Sequence, residues 1–106
     1  MKTADFKKFC SETFEKRMSL MLRKNNDYSG DADFLSNFKR VSTVLSLLTQ
    51  KEIKPSDYAL MLIMLKIDRE CNLRAKNLAP NNESRRDTLI DLRNYIDLYE
   101  ACCAEE

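Results

Sequence analysis

The chain has no histidine, no tryptophan, one glycine and two prolines in 106 residues. Each shortage excludes something. Without histidine there is no imidazole base, so Ser–His and Cys–His nucleophilic catalysis are ruled out, as is any zinc site that uses imidazole. A hairpin-rich β fold needs Gly, Asn and Pro at its turns, and one Gly with two Pro cannot supply them. Net charge is also missing: 18 Lys and Arg against 17 Asp and Glu give +1. No bulk field is present to draw in a nucleic-acid backbone, which leaves no strong nucleic-acid signal. The longest apolar run, Tyr58 to Leu65, ends at Lys66, so no membrane span is expected. The opening MKTADFKKFC lacks the apolar core of a secretion signal. A cytoplasmic location is therefore the expectation.

What is present is globular and helical. Apolar residues make up 43% and charged residues 33%, a mixture that supports a core, and the chain is long enough for one domain over 1–106. The four cysteines, Cys10, Cys71, Cys102 and Cys103, contain no CxxC pair. Buried or half-buried free thiols are expected in a reducing compartment.

Four helices follow from periodicity. The first, from Thr3 to about Lys24, sets Phe6, Cys10, Phe14, Met18 and Leu22 on one stripe, with Phe9 and Met21 widening it. The stretch from Asn25 to Asp33 carries the only Gly and reads as a loop, and Asp33 is placed to cap a second helix. That helix, Phe34 to about Thr49, has the core stripe Phe34, Phe38, Val41, Leu45 and Leu48. A third begins at Pro55 and is apolar on all sides through Leu65, which marks it as the most buried element. Asn81 or Asn82 should cap a fourth, Glu83 to about Ala104, buried through Leu89, Leu92, Tyr95, Ile96, Tyr99 and Cys103, with only the last three residues frayed. The expected fold is all-α, a four-helix bundle, with more apolar surface than it can cover and hence a homo-oligomer.

Three features exceed what a generic bundle needs. Glu83, Asp87 and Asp91 follow at four-residue steps with Asn94 next, and like charges at that spacing repel. Lys66 and Arg69 lie one turn apart where the third helix turns polar, placed to answer Asp87 and Asp91. The segment Asp27-Tyr28-Ser29-Gly30, followed by Asn37-Phe38-Lys39-Arg40, joins an aromatic to cations in a way that suits stacking on a base and holding its phosphate. The plain reading is an inter-helical ion-pair layer and a turn with its Tyr packed on the bundle. That layer would tolerate Lys66→Met with Asp87→Leu. The sharper reading is that the layer opens into a pocket.

Taken together, Lys24 to Gly30, Asn37 to Arg40, Lys66 to Arg69 and Glu83 to Tyr95 resemble a family of small phage proteins, the nucleotide-modification-associated domain of the first type. That family is in turn similar to the MazG-type all-α nucleoside triphosphate pyrophosphatases. The resemblance implies a helical, oligomeric protein that handles a nucleotide. Its metal site would fall on Glu83, Asp87 and Asp91, but the MazG acidic pair of the preceding helix is replaced here by Lys66 and Arg69. Cations beside the acids compete with Mg²⁺, so binding is expected ahead of hydrolysis. The expected ligand is a nucleotide, a modified nucleotide or a nucleotide-derived immune signal, which the protein would recognise or sequester in an anti-defence role. The residues placed on it are Tyr28, Asn37, Arg40, Lys66, Arg69, Glu83, Asp87, Asp91 and Asn94. No cofactor is expected, and Mg²⁺ enters only with the alternative, a pyrophosphatase. A structural or interaction module is the further alternative.

Overall fold

The computed structural model describes residues 1–28, 33–79 and 84–106, with only the backbone of Tyr28. It contains four helices and, among the described residues, no strand: α1 (Thr3–Tyr28), α2 (Ser36–Thr49), α3 (Pro55–Ala75) and α4 (Arg85–Glu105). The main interface is between α3 and α4; α2 packs on α3, and α1 on α4. The all-α expectation and the helical bundle are as the sequence implies, because good helix formers fill each segment and turn formers separate them.

The helix ends differ in instructive ways. Asn25, Asn26 and Asp27 continue α1 instead of opening a loop. Nothing in that triplet breaks a helix, and Asn25 joins the wall of a cavity described below. Asp33 organises the start of α2 from one turn ahead: its carboxylate accepts from the Leu35 N–H at 2.9 Å and its carbonyl from Ser36 N–H at 3.1 Å. A hydrogen bond from Lys39, with that backbone N–H, holds the Asp33 carboxyl below its ordinary value of 3.8. Pro55 opens α3, where Asp57 accepts from the Lys54 N–H at 2.8 Å. The cap of α4 is Ser84, whose hydroxyl accepts from Asp87 N–H at 3.0 Å. Asn81 and Asn82, expected as caps, lie outside the described residues.

The C-terminal end is anchored, against the expectation of fraying. Glu105 pairs with Lys39 at 2.9 Å. Glu106 accepts from the N–H and the hydroxyl of Ser56, at 3.0 and 2.7 Å, and so satisfies a donor at the start of α3.

The buried apolar set is small: Leu35, Phe38, Ala59, Ile63, Ile90 and Cys102. Three expected faces turn out otherwise. On α1 the predicted stripe is largely outward, with Phe6, Phe14 and Leu22 all exposed, while Thr13 is buried. On α2, Phe38 is buried and Val41 and Leu45 are half-buried, but Leu48 is 77% exposed. On α3 only one side is covered, through Ala59 and Ile63; Leu60, Met61, Met64 and Leu65 are exposed, so the helix is not the most enclosed element.

α4 shows the largest departure. Its buried residues are Thr88, Ile90, Asp91, Asn94 and Cys102, whereas Leu89, Ile96 and Cys103 are exposed. The polar residues turn inward because each finds a partner there, which offsets desolvation. Arg69 donates to the Thr88 hydroxyl at 2.8 Å, Lys66 meets Asp91 at 3.1 Å, and Asn94 donates to the Arg17 carbonyl at 3.3 Å.

All four thiols are free, but three are exposed and Cys102 alone is buried. Burial pushes the Cys102 thiol up to about 11, and the Glu106 carboxylate adds to the shift. Because only the thiolate attacks, Cys102 stays unmodified by iodoacetamide at pH 8 while Cys10 reacts; it reacts on denaturation or as pH approaches 11. Peptide mapping by mass spectrometry checks this, and equal labelling of Cys102 and Cys10 in folded protein would contradict the packing.

Candidate functional site

Asp91 lies two turns into α4, with its side chain 11% exposed. Both of its oxygens face lysines: Lys66 of α3 at 3.1 Å and Lys24 of α1 at 3.5 Å. Lys66 is itself well covered, at 19%, whereas Lys24 is 51% exposed and reaches Asp91 from the solvent side. A carboxylate in this position would be costly alone, and the inner lysine makes it tolerable.

One turn further on, Asn94 belongs to a second cluster. Its amide nitrogen donates to the Arg17 carbonyl, its oxygen accepts from the Arg17 guanidinium at 3.5 Å, and the same guanidinium pairs with Asp97. Near the start of α4, Arg86 donates to the Thr13 hydroxyl at 3.0 Å and sits over the Phe9 ring at 5.3 Å. The face of α1 that meets α4 is thus a series of polar rungs.

Beside Asp91 opens a cavity of about 270 Å³, near the lower limit of ordinary ligand pockets. All four helices contribute to it. Its polar wall is Lys24, Asn25, Asn37, Asp91 and Asn94. Its apolar wall carries Phe34, Phe38, Tyr58 and Tyr95, closed by Met21, Val41, Leu62 and Leu98. Phe38 and Tyr58 fix one corner, their rings 5.4 Å apart and tilted by 54°. Aromatic faces opposite amides and a carboxylate suit a flat, hydrogen-bonding ring.

Of the residues expected from sequence, Asn37, Asp91 and Asn94 line this cavity. Lys66 supports Asp91 but is not among the wall residues. Arg69 meets Thr88 and not Asp87, whose side chain is exposed at the helix start. Arg40 is exposed on α2, away from the walls. The side chain of Tyr28, and Glu83, lie outside the described residues. The pair to exchange for apolar residues is therefore Lys66 with Asp91, because Asp87 does not face Lys66.

Mg²⁺ fits the described acids poorly. Asp87 points to solvent, Asp91 is matched by two ammonium groups, and no group of three His, Cys, Asp or Glu among the described residues is arranged to hold a metal ion.

Sequence reasoning did not nominate Lys24, Asn25, Phe34, Tyr58 or Tyr95. For the first two the signal is phase: Lys24 and Asn25 stand three and four residues after Met21, so all three share a face once α1 is extended past Lys24.

A protein-family profile matches residues 19–103. The chain belongs to the family described as Domain of unknown function DUF6378. The matched span of this DUF6378 domain runs from the last turns of α1 through nearly all of α4, and so contains every residue of the cavity wall. Comparison with curated proteins gives no match, and comparison with solved structures gives none. No helix among the described residues is long and apolar enough to cross a membrane.

Proposed function

We propose that this DUF6378 domain binds a nucleotide or nucleotide-derived compound in the four-helix cavity, and that it recognises or sequesters its ligand rather than hydrolysing it. The observation that carries this reading is the composition of the cavity: a buried carboxylate and three amide side chains face aromatic rings, with a half-exposed lysine on the solvent side. Asp91, Asn94 and Asn37 match the N–H and C=O edges of a base, and Phe34, Tyr58 and Tyr95 cover its faces. The volume suits the base end of the molecule, which leaves the phosphates near Lys24. The resemblance of four segments to phage nucleotide-modification-associated domains points the same way. The two lysines on Asp91 favour binding over metal-assisted hydrolysis, which needs uncompensated negative charge.

Isothermal titration against nucleoside mono-, di- and triphosphates and cyclic nucleotides tests the proposal. A saturable signal is expected for at least one class, weakened about tenfold by Asn37→Ala and by Lys24→Met, an effect of about 1.4 kcal/mol, at the upper end for a neutral hydrogen bond and the lower end for a charge-assisted one. Lys24→Met leaves Lys66 on Asp91, so the fold is retained. Absence of binding by every phosphate-bearing ligand would end the reading. Pyrophosphate release from a triphosphate with Mg²⁺ would replace it with the hydrolase alternative.

A further inference from the structure

The chain exposes 7741 Å² of surface and has a radius of gyration of 15.9 Å. A folded monomer of 12.4 kDa is expected to expose roughly 6,100 Å², and one of this length to have a radius near 13 Å. The excess is roughly 1,600 Å² per chain, so two chains covering it would bury roughly 3,200 Å², within the range of obligate homodimers.

The excess is concentrated in one region. Of the fifteen large apolar side chains that are exposed among the described residues, eight belong to α2 and α3. On α3, Leu60, Met61, Met64, Leu65 and Ile67 are between 41% and 64% exposed, within just over two turns. On α2, Val44, Leu47 and Leu48 are between 53% and 77% exposed, next to the short connection that leads into α3. Across the run from Leu60 to Leu65 no charged residue interrupts the face. The outward stripe of α1, by contrast, is spaced by lysines and glutamates.

From these observations we infer that the outer face of α3, continued by the end of α2, is where a second copy of this chain docks. A self-complementary apolar helix face is what an isologous two-fold interface requires. Met61, Met64 and Leu65 form its centre. Tyr58 and Leu62, which line the cavity, stand three residues before Met61 and Leu65 respectively, so the docking face adjoins the cavity wall. This inference does not depend on what the cavity binds.

Sedimentation equilibrium of the full chain, without ligand, tests it. Wild type is expected at twice the chain mass of 12.4 kDa, and the double variant Met64→Glu/Leu65→Glu at the chain mass. Both positions are exposed, so the variant should keep its helical circular dichroism. Phe14→Glu, on the outward stripe of α1, is the control and should remain a dimer. Cys71 gives a second readout, seven residues after Met64 and hence on the same stripe. Its maleimide labelling should be at least tenfold slower than that of Cys10 in wild type, and comparable to it in the double variant. A monomeric wild type, a double variant that stays dimeric, or dissociation by Phe14→Glu would each overturn the assignment. If Met64→Glu/Leu65→Glu fails to fold, the labelling ratio in wild type decides the matter.

Discussion

Replacing Asp91 by Ala is expected to lower the free energy of unfolding by about 3 kcal/mol, because it takes a close carboxylate partner from the covered Lys66 ammonium. Lys24 loses the same partner but contributes little to the loss, being half exposed and hydrated in either state. The companion variant separates structure from function. Lys66→Met combined with Asp91→Leu removes both buried charges and should recover most of the lost stability, since well-packed apolar residues replace a buried ion pair at little or no net cost. Under the nucleotide reading, the double variant still fails to bind ligand because the acceptor for the base is gone. Urea denaturation of the three proteins, with titration of each, provides the measurement. If the double variant binds as wild type does, Asp91 is a structural ion-pair partner and not part of a binding site. If Asp91→Ala is as stable as wild type, the ion pair is not buried as described.

Phe38→Ala is expected to cost about 4 kcal/mol, the usual consequence of removing a fully packed aromatic ring. Phe38 is 4% exposed, belongs to the buried cluster with Leu35, Ala59 and Cys102, and also forms part of the cavity wall beside Tyr58. Truncation therefore does two things at once. It takes apolar contacts away from the centre of the fold and enlarges the cavity toward Tyr58, so ligand affinity falls along with stability. Phe38→Leu separates the two effects: it keeps most of the volume and should cost under about 1.5 kcal/mol, yet it withdraws an aromatic surface from the cavity. Thermal or urea unfolding checks the ordering Phe38→Ala, then Phe38→Leu, then wild type. A Phe38→Ala protein within 1 kcal/mol of wild type would show that α2 is not docked through this ring.

Helices were legible in the sequence because composition and period are local properties. The faces those helices bury were less so. The stripe Phe6, Phe14 and Leu22 is the most regular apolar pattern on α1, yet the side that meets α4 is the one with Thr13, Arg17 and Lys24. Periodicity counts apolar side chains and is blind to a polar residue whose partner lies far along the chain. Asp91 was legible for a different reason. A carboxylate two turns inside a helix, among apolar neighbours, must be answered, and Lys66 was the nearest credible answer. Arg69 and Asp87 failed as a pair because a one-residue step on α4, roughly 100° around the helix, separates a buried Thr88 from an exposed Asp87. The aromatic wall was not legible. Tyr58 and Tyr95 look like ordinary core residues until four helices are brought together around them.

The join between α1 and the rest has a consequence for how the molecule breathes. Guanidinium, ammonium, hydroxyl and amide groups hold it, with Phe9 adding a ring beneath Arg86. Contacts of that kind weaken as ionic strength rises, whereas the other three helices add the buried cluster of Leu35, Phe38, Ala59 and Cys102 to their own polar contacts. The first helix, which carries Lys24 and Asn25, is thus expected to be the segment whose docking loosens first as salt rises. The wall of the chamber that α1 supplies is therefore expected to be the one most sensitive to the ionic medium.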